Sequence, residues 1–285
     1  MNRKLSKILT SAVSAALVLS CGTVYAQDNV HTGKTPDDGY IIVTDGCEYD
    51  GDILFVSDNA YVSLREFSCM ADNSVVSWDD ASETAFVETD TLTLSAAEGK
   101  RYIEANGRVL WCPLGVFTQD GKMYVPLRQI AEAFGFSSEY SAEDNATYLE
   151  RRTAAIESAD SFYDEDELYW LSKLIHAEAC GEPFEGKLAV GTVVLNRVDS
   201  DEFPSTIYDV IFDTEHGVQF TPTANGAIDN EAHDDSIIAA KICLEDVRLD
   251  DDILYFLNEE LSTSLWIVEN CEYVMTIGSH DFYTE

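Results

Sequence analysis

Positive charge is what this chain has least of. Of its 285 residues only 17 are Lys or Arg, against 53 Asp or Glu, and 5 are His. A chain so poor in cations does not bind nucleic acid or an anionic membrane surface by charge. Histidine and cysteine are too scattered for a metal centre. There is no CxxC, no Cys/His pair at zinc spacing and no HExxH, and His31 is the only histidine before residue 176. These absences lead us to expect neither metal nor cofactor. Long apolar runs are missing too. The clearest, Ile8 to Leu19, is too short to cross a bilayer.

That short run has another meaning. Arg3, Lys4 and Lys7 precede it and Val24-Tyr25-Ala26 follows, which is the pattern of an export signal over residues 1–26. Ser20-Cys21-Gly22 resembles a lipoprotein cleavage site, although Leu19 fits that pattern poorly, so free secretion is preferred over a lipid anchor at Cys21. Either route places the protein outside the cytoplasm. The signal holds three basic residues and no acids, so the mature net charge is 14 − 53 = −39. Such a surface keeps a secreted protein soluble and leaves recognition of any polymer to hydrogen bonds and stacking. Six cysteines remain beyond the signal, Cys47, Cys69, Cys112, Cys180, Cys243 and Cys271. Six allow 15 disulfide connectivities, and the sequence selects none of them.

The stretch Leu168 to Val198 carries the strongest pattern. Leu168, Leu171, Leu174 and Ile175 recur at helical spacing, and Glu178 continues their stripe, so its carboxylate faces the core. Gly181 and Pro183 then end the helix. A second helix follows, apolar nearly all round from Leu188 to Leu195, as a buried helix is. An acid held at the edge of a core has its charged form disfavoured by desolvation, which is the tuning a general acid requires. The bland alternative for Glu178 is an ion pair with a nearby arginine.

The first half contains a repeat. Tyr61-Val62-Ser63-Leu64-Arg65 returns 63 residues later as Tyr124-Val125-Pro126-Leu127-Arg128. Each copy runs on into an amphipathic helix, expected over Glu66 to Ala71 and Gln129 to Phe134. Each then enters a β-like segment bearing an aromatic, Trp78 or Tyr140. Between the copies, Thr91 to Leu94, Arg101 to Ala105 and Arg108 to Trp111 read as short strands, with turns at Asn106-Gly107 and Asp120-Gly121. Two strand–helix–strand units sharing a core make a small α+β domain. Arg65 and Arg128, at strand-to-helix junctions, are expected to bond backbone carbonyls. Residues 151–163 lose periodicity and gather Ser, Ala, Asp and Glu, which reads as a linker, with Ser161 or Asp164 capping the next helix.

The paired YVxLR motifs, Trp78-Asp79-Asp80 and Asp120-Gly121-Lys122 resemble the copper amine oxidase N-terminal-like domain, over residues 38–150. That name implies no copper here. Residues 164–285 resemble the cell wall hydrolase family of spore cortex-lytic (SleB-like) enzymes. The motifs are Ile175-His176-Ala177-Glu178-Ala179, Gly181 to Gly186, Ala189-Val190-Gly191, Val194 to Val198 and Phe203 to Ile207. Gln219-Phe220, Asn225-Gly226, Tyr255-Phe256, Trp266 and Thr276 to His280 follow in order. The fold this implies is α+β multidomain, the repeat domain followed by a mainly α, lysozyme-like one.

The activity the resemblance implies is cleavage of peptidoglycan glycan strands, with Glu178 at the family's catalytic glutamate. The family's likeness to single-glutamate lytic transglycosylases favours that mechanism. A hydrolytic muramidase using water and a non-catalytic wall-binding protein stay open. Substrate contacts are expected from Gln219 and Phe220, from the Tyr255 hydroxyl and from Glu182. Packing is the alternative for Phe220, and helix-start stabilisation for Glu182 and Glu185. Trp266 reads as core or sugar platform, Arg197 as an ion-pairing residue and His280 as structural. One departure stands out. Where the family commonly has arginine two residues after the glutamate, this chain has Cys180. Its neighbours His176 and His216 lack the oxyanion and orienting groups a thiol nucleophile needs.

Overall fold

The computed structural model describes residues 39–215, 217–262 and 265–285. The export signal and Cys21 lie outside the described residues. The N-terminal half is mostly strand. It runs β1 (Ile41–Thr44), β2 (Cys47–Glu48), β3 (Ile53–Val56) and β4 (Asn59–Ser63) into helix α1 (Leu64–Ser68). A meander follows, β5 (Val75–Asp79), β6 (Thr84–Glu88), β7 (Thr93–Ala97), β8 (Tyr102–Ala105) and β9 (Arg108–Trp111). Then come β10 (Phe117–Gln119), β11 (Lys122–Pro126), α2 (Leu127–Ala133), β12 (Phe136–Ser141) and β13 (Ala146–Arg151).

The two repeat copies meet directly. β4 and β11 pair antiparallel with Val62 opposite Val125, Tyr61 opposite Pro126 and Ser63 opposite Tyr124. Equivalent positions therefore face one another across a local two-fold axis, inside a sheet of order β10-β11-β4-β3. Both helices turn inward over one core, where Phe67 and Phe134 meet edge to face at 5.5 Å. Each helix begins two residues earlier than periodicity indicates, because the motif leucines Leu64 and Leu127 are already helical. Ser63 caps α1 through its hydroxyl, a role Pro126 cannot play in the second copy. The guanidiniums of Arg65 and Arg128 lie exposed on these first turns instead of folding onto carbonyls. At the Asn106-Gly107 turn both residues have positive φ, 48° and 79°, as a tight two-residue hairpin needs. β1 closes the domain by pairing parallel with β13, in a sheet of order β12-β13-β1-β2.

The C-terminal half is helix-rich. It comprises α3 (Ala159–Phe162), α4 (Glu165–Ala179), α5 (Phe184–Asp199), α6 (Ile207–Ile211), α7 (Thr221–Asn225) and α8 (Asp234–Leu244). β14 (Tyr255–Leu257), α9 (Trp266–Asn270), β15 (Glu272–Ile277) and β16 (His280–Thr284) end it, in a sheet of order β14-β16-β15. The chain is thus mixed α and β, strand-dominated first and helical second.

Residues 151–163 are packed against both halves. The Ile156 amide bonds the Ala133 carbonyl, and Asn106 binds the Ile156 carbonyl at 2.9 Å. Asp164 is the helix cap, accepting from the amides of Asp166 at 2.9 Å and Glu167 at 3.1 Å. Glu165, Asp166 and Glu167 then favour the positive end of the helix dipole. Strand β9 faces the helices, where Val109 and Trp111 join the core of Leu171, Leu174 and Ile175. Trp111 stacks on Phe184 at 5.8 Å. Arg108 and Glu245, both buried, form a bidentate pair whose first bond is 2.9 Å. The Tyr163 hydroxyl donates to the same carboxylate at 2.5 Å and accepts from the Val109 amide at 3.2 Å. All six cysteines beyond the signal are free thiols, Cys112 and Cys243 buried.

Candidate active site

α4 and α5 pack closely because of Gly191. A β-carbon there would come within 2.6 Å of the Cys243 sulfur and 3.0 Å of Ile175, so only glycine lets α4, α5 and α8 converge. Along α4, Leu171, Leu174, Ile175 and Ala179 are wholly buried. Glu178 lies beside this stripe, half-buried, one residue from the helix end. Among the described residues its carboxyl has no hydrogen bond and no ion pair. Burial pushes its pKa up to about 7 from the ordinary 4.5. Desolvation acts alone here, with no neighbouring charge opposing it.

Two buried lysines, unremarked in the sequence, tie neighbouring backbone to α4 and α5. Lys173 donates to the carbonyls of Asp229 and Asn230 at 3.0 and 2.7 Å. Lys187 donates to those of Cys180 and Glu182 at 3.2 and 2.8 Å and pairs with Asp235. Lys187 thereby neutralises the carbonyl end of α4, the place where a carboxylate is otherwise disfavoured.

Gln219, Phe220 and Tyr255 are brought together by Arg197. This arginine is 4% exposed. It donates to the Leu254 carbonyl at 2.7 Å and to the Gln219 side-chain oxygen at 3.3 Å. Its guanidinium lies over the rings of Phe203, Phe220 and Tyr255 at 4.8 to 5.3 Å. Burial pulls its pKa down to about 10. The expected ion pair with a helix-end carboxylate is thus replaced by a carbonyl, an amide and three aromatic faces. Gln219 is half-buried with its amide oriented by Arg197 and by the Gly217 carbonyl. Phe220 is only 2% exposed, so its ring packs into the core and presents no face for a sugar. Tyr255 is half-buried between Phe203 and Trp266, and its hydroxyl has no partner among the described residues. Trp266 is 54% exposed, which removes it from the core.

Glu182 stands apart from this cluster. It precedes α5, whose first residue is Phe184, and does not lie in its first turn. Its carboxylate accepts the Ser279 amide at 2.9 Å and the Ser279 hydroxyl at 2.5 Å. This pins the β15–β16 turn, where Gly278 has φ +61°. Burial opposes its charge, but the two Ser279 bonds win and hold its pKa below normal. Glu185 pairs with Arg101 across the two halves. Cys180 is exposed at the helix end. His176 is engaged elsewhere, its ring tilted against that of His233 at 4.3 Å and its Nδ1 accepting the His233 amide at 3.5 Å. His216 lies outside the described residues. His280 is buried beside Phe256 at 5.2 Å, a packing position. Among the described residues no group of three or more His, Cys, Asp or Glu is placed to hold a metal ion.

Comparison with known proteins defines the class. Residues 181–283 match the Cell Wall Hydrolase family model, and residues 44–149 match that of the Copper amine oxidase N-terminal domain. The C-terminal half therefore carries a cell wall hydrolase domain behind a copper amine oxidase N-terminal-like one. The first match begins just beyond Glu178.

The particular relatives are spore cortex-lytic enzymes. The one from Oceanobacillus iheyensis is 33% identical over 120 residues, 42% of this chain and 42% of that protein. The one from Bacillus subtilis (strain 168) is 30% identical over 120 residues, 42% of this chain and 38% of that protein. The chain thus spans less than half the length of these relatives. Among solved structures, it is similar to the catalytic domain of the germination-specific lytic transglycosylase SleB from Bacillus anthracis. The identity is 29%, the TM-score 0.39 and the coverage 43% of this chain and 97% of that one. The Bacillus cereus SleB catalytic domain gives 30% identity and the same TM-score, covering 43% and 92%.

Proposed function

We propose that this protein is an exported peptidoglycan-lytic enzyme that cleaves the MurNAc–GlcNAc bond as a lytic transglycosylase, with Glu178 as its one catalytic carboxyl. The observation that carries this reading is the state of Glu178. It is half-buried, without a partner, and titrates near 7, so at neutral pH about half of it is protonated and able to give a proton. In the first step the carboxylic acid protonates the glycosidic oxygen as the bond to the anomeric carbon breaks. The muramic C6 hydroxyl then bonds to that carbon and returns its proton to the Glu178 carboxylate. The products are a 1,6-anhydro end and a free GlcNAc hydroxyl, with no water consumed. One residue serves both steps because its pKa lies near working pH.

The names of the relatives, cortex-lytic enzyme and lytic transglycosylase, support wall glycan as the substrate. Gln219 and Tyr255 are the residues we assign to the sugar, an amide for an N-acetyl group and a free hydroxyl. Cleavage after Ala26 would release the enzyme outside the membrane as a free protein, and cleavage before Cys21 would instead leave it anchored there through that cysteine. Residues 38–150 and 164–285 are the two domains in this scheme, joined by 151–163.

The test is digestion of purified sacculi, with and without muramic lactam, by the mature protein and by Glu178→Gln, with mass spectrometry of the products. Anhydro-muramic ends that vanish in Glu178→Gln are the expected result. Reducing ends would make it a muramidase, and binding without products a wall-binding protein. Release that survives Glu178→Gln would overturn the assignment of the site.

A further inference from the structure

The N-terminal unit holds a groove that its packing does not use. Leu64, Met123 and the edge of Val76 form its floor, and Trp78, Arg65 and Thr118 line it. Trp78 is 41% exposed yet fixed, since its indole N–H donates to Asp80 at 2.8 Å. The next residue, Asp79, clamps the following turn through the Ser82 amide at 3.2 Å. An aromatic face held open to water in this way is a ready platform for the apolar face of a sugar ring.

The charge in the groove is equally specific. Lys122 is already tied to Asp52 and Glu66, and the other Glu66 oxygen accepts the Asp52 amide at 2.7 Å. Arg65 is exposed, and among the described residues no carboxylate or carbonyl meets its guanidinium. In a chain with 53 acids and 17 bases an unclaimed arginine is scarce. The Thr118 hydroxyl is buried at the same groove with no hydrogen-bond partner. A platform, one free cation and one unsatisfied hydroxyl together fit a sugar that carries a single carboxylate. They do not fit a polyanion, which needs a patch of cations.

We propose that the Trp78–Arg65 groove binds wall glycan at muramyl residues whose lactyl carboxylate carries no stem peptide, as a second site on the strand that the C-terminal domain cuts. This rests on the function proposed above. The indole stacks on a sugar ring and Arg65 takes the muramyl carboxylate bidentately.

The test uses the mature chain carrying Glu178→Gln, labelled with nitrogen-15, so that no probe is consumed. The four indole N–H resonances are followed by NMR, and that of Trp78 is identified by its loss in Trp78→Phe. The probes are a GlcNAc–MurNAc tetrasaccharide and chitotetraose, which has no carboxylate. The expected result is a Trp78 shift that saturates with the muramyl probe. Affinity read from that shift falls about tenfold with chitotetraose or in Arg65→Gln, a charge-assisted bond's worth, with Arg65→Lys between. A Trp78 resonance that stays still, or moves equally with both sugars and in Arg65→Gln, overturns the proposal. The two readings separate cleanly. If active chain leaves sacculi uncut while the groove titrates, Glu178 chemistry fails and this site stands. If it cuts sacculi while Trp78 is silent, this site fails alone.

Discussion

Replacing Glu178 by glutamine should make the folded protein more stable, by an amount that grows between about pH 4.5 and 7 and is complete on the alkaline side of neutrality. The carboxyl titrates near 7 in the fold against 4.5 when free, a difference of about 2.5 units at ~1.36 kcal/mol each. Because the folded pKa is the higher, the stability this group allows is fully present below about pH 4.5. It is lost as pH rises through 7, where ionising a half-buried acid opposes folding. The full linkage cost is ~3.4 kcal/mol, and residual solvent access at the half-buried site reduces it to about 2 kcal/mol. Glutamine keeps the shape and never ionises.

Thermal unfolding of the mature protein and of Glu178→Gln, followed by near-UV circular dichroism at pH 8 and pH 5, reads this out. A gain of about 2 kcal/mol is roughly 4–8 °C for a chain of this size. It should appear at pH 8, level off above that pH and shrink to ~0.5 kcal/mol or less at pH 5. A gain equal at both pH values would mean that packing, not ionisation, separates the two proteins. A loss at pH 8 would mean that the carboxylate has a partner holding its charge, and the general-acid argument would fail with it.

Cleavage itself should follow the same titration, falling about tenfold per pH unit above 7 as protonated Glu178 is depleted; a rate rising from pH 7 to 9 contradicts it. Removing one member of the buried Arg108–Glu245 pair, as in Glu245→Gln, strands a buried charge at a cost of about 3–5 kcal/mol. Limited proteolysis within 151–163 should then become fast, whereas the paired change Arg108→Met with Glu245→Leu should restore most of the protection. Cys180→Ser should keep glycan release within about twofold of the parent, since its thiol is exposed and His176 is occupied by His233; a loss of a hundredfold would revive a thiol mechanism. Lys187→Met should lower kcat and expose the Cys180 and Glu182 carbonyls, costing about 1–3 kcal/mol of stability, measured by denaturant unfolding.

The sequence announces features whose cause is local or repeated. Glu178 declared itself because helical periodicity extends an apolar stripe through it, and the YVxLR motif because one solution was used twice. Asn106-Gly107 is legible because two successive positive φ angles demand such residues. What stayed hidden depends on distant partners. The parallel pairing of β1 with β13 joins residues more than a hundred positions apart, and no periodicity encodes a neighbour. Residues 151–163 read as a linker by composition, and that composition does not reveal how Ile156 and Tyr163 are anchored by partners on β9, α2 and the segment after α8. The partners of Arg197 are hidden for the same reason. Its ligands, the Leu254 carbonyl and the Gln219 amide, come from loops that only the fold delivers.

The antiparallel meeting of β4 and β11 has a consequence for assembly. Each repeat copy completes the other's sheet, so the domain is a dimer of half-domains held on one chain, each at high effective concentration for its twin. Two chains could satisfy every one of these contacts by exchanging halves, with Val62 of one molecule opposite Val125 of the next, at no loss of pairing. The connection between the copies is itself folded, since β5–β9 place Val87, Leu94, Ile103 and Leu110 in the same core, and that packing favours the closed form. An exchanged dimer would carry this meander with it, two linked proteins displaying their C-terminal domains as a pair.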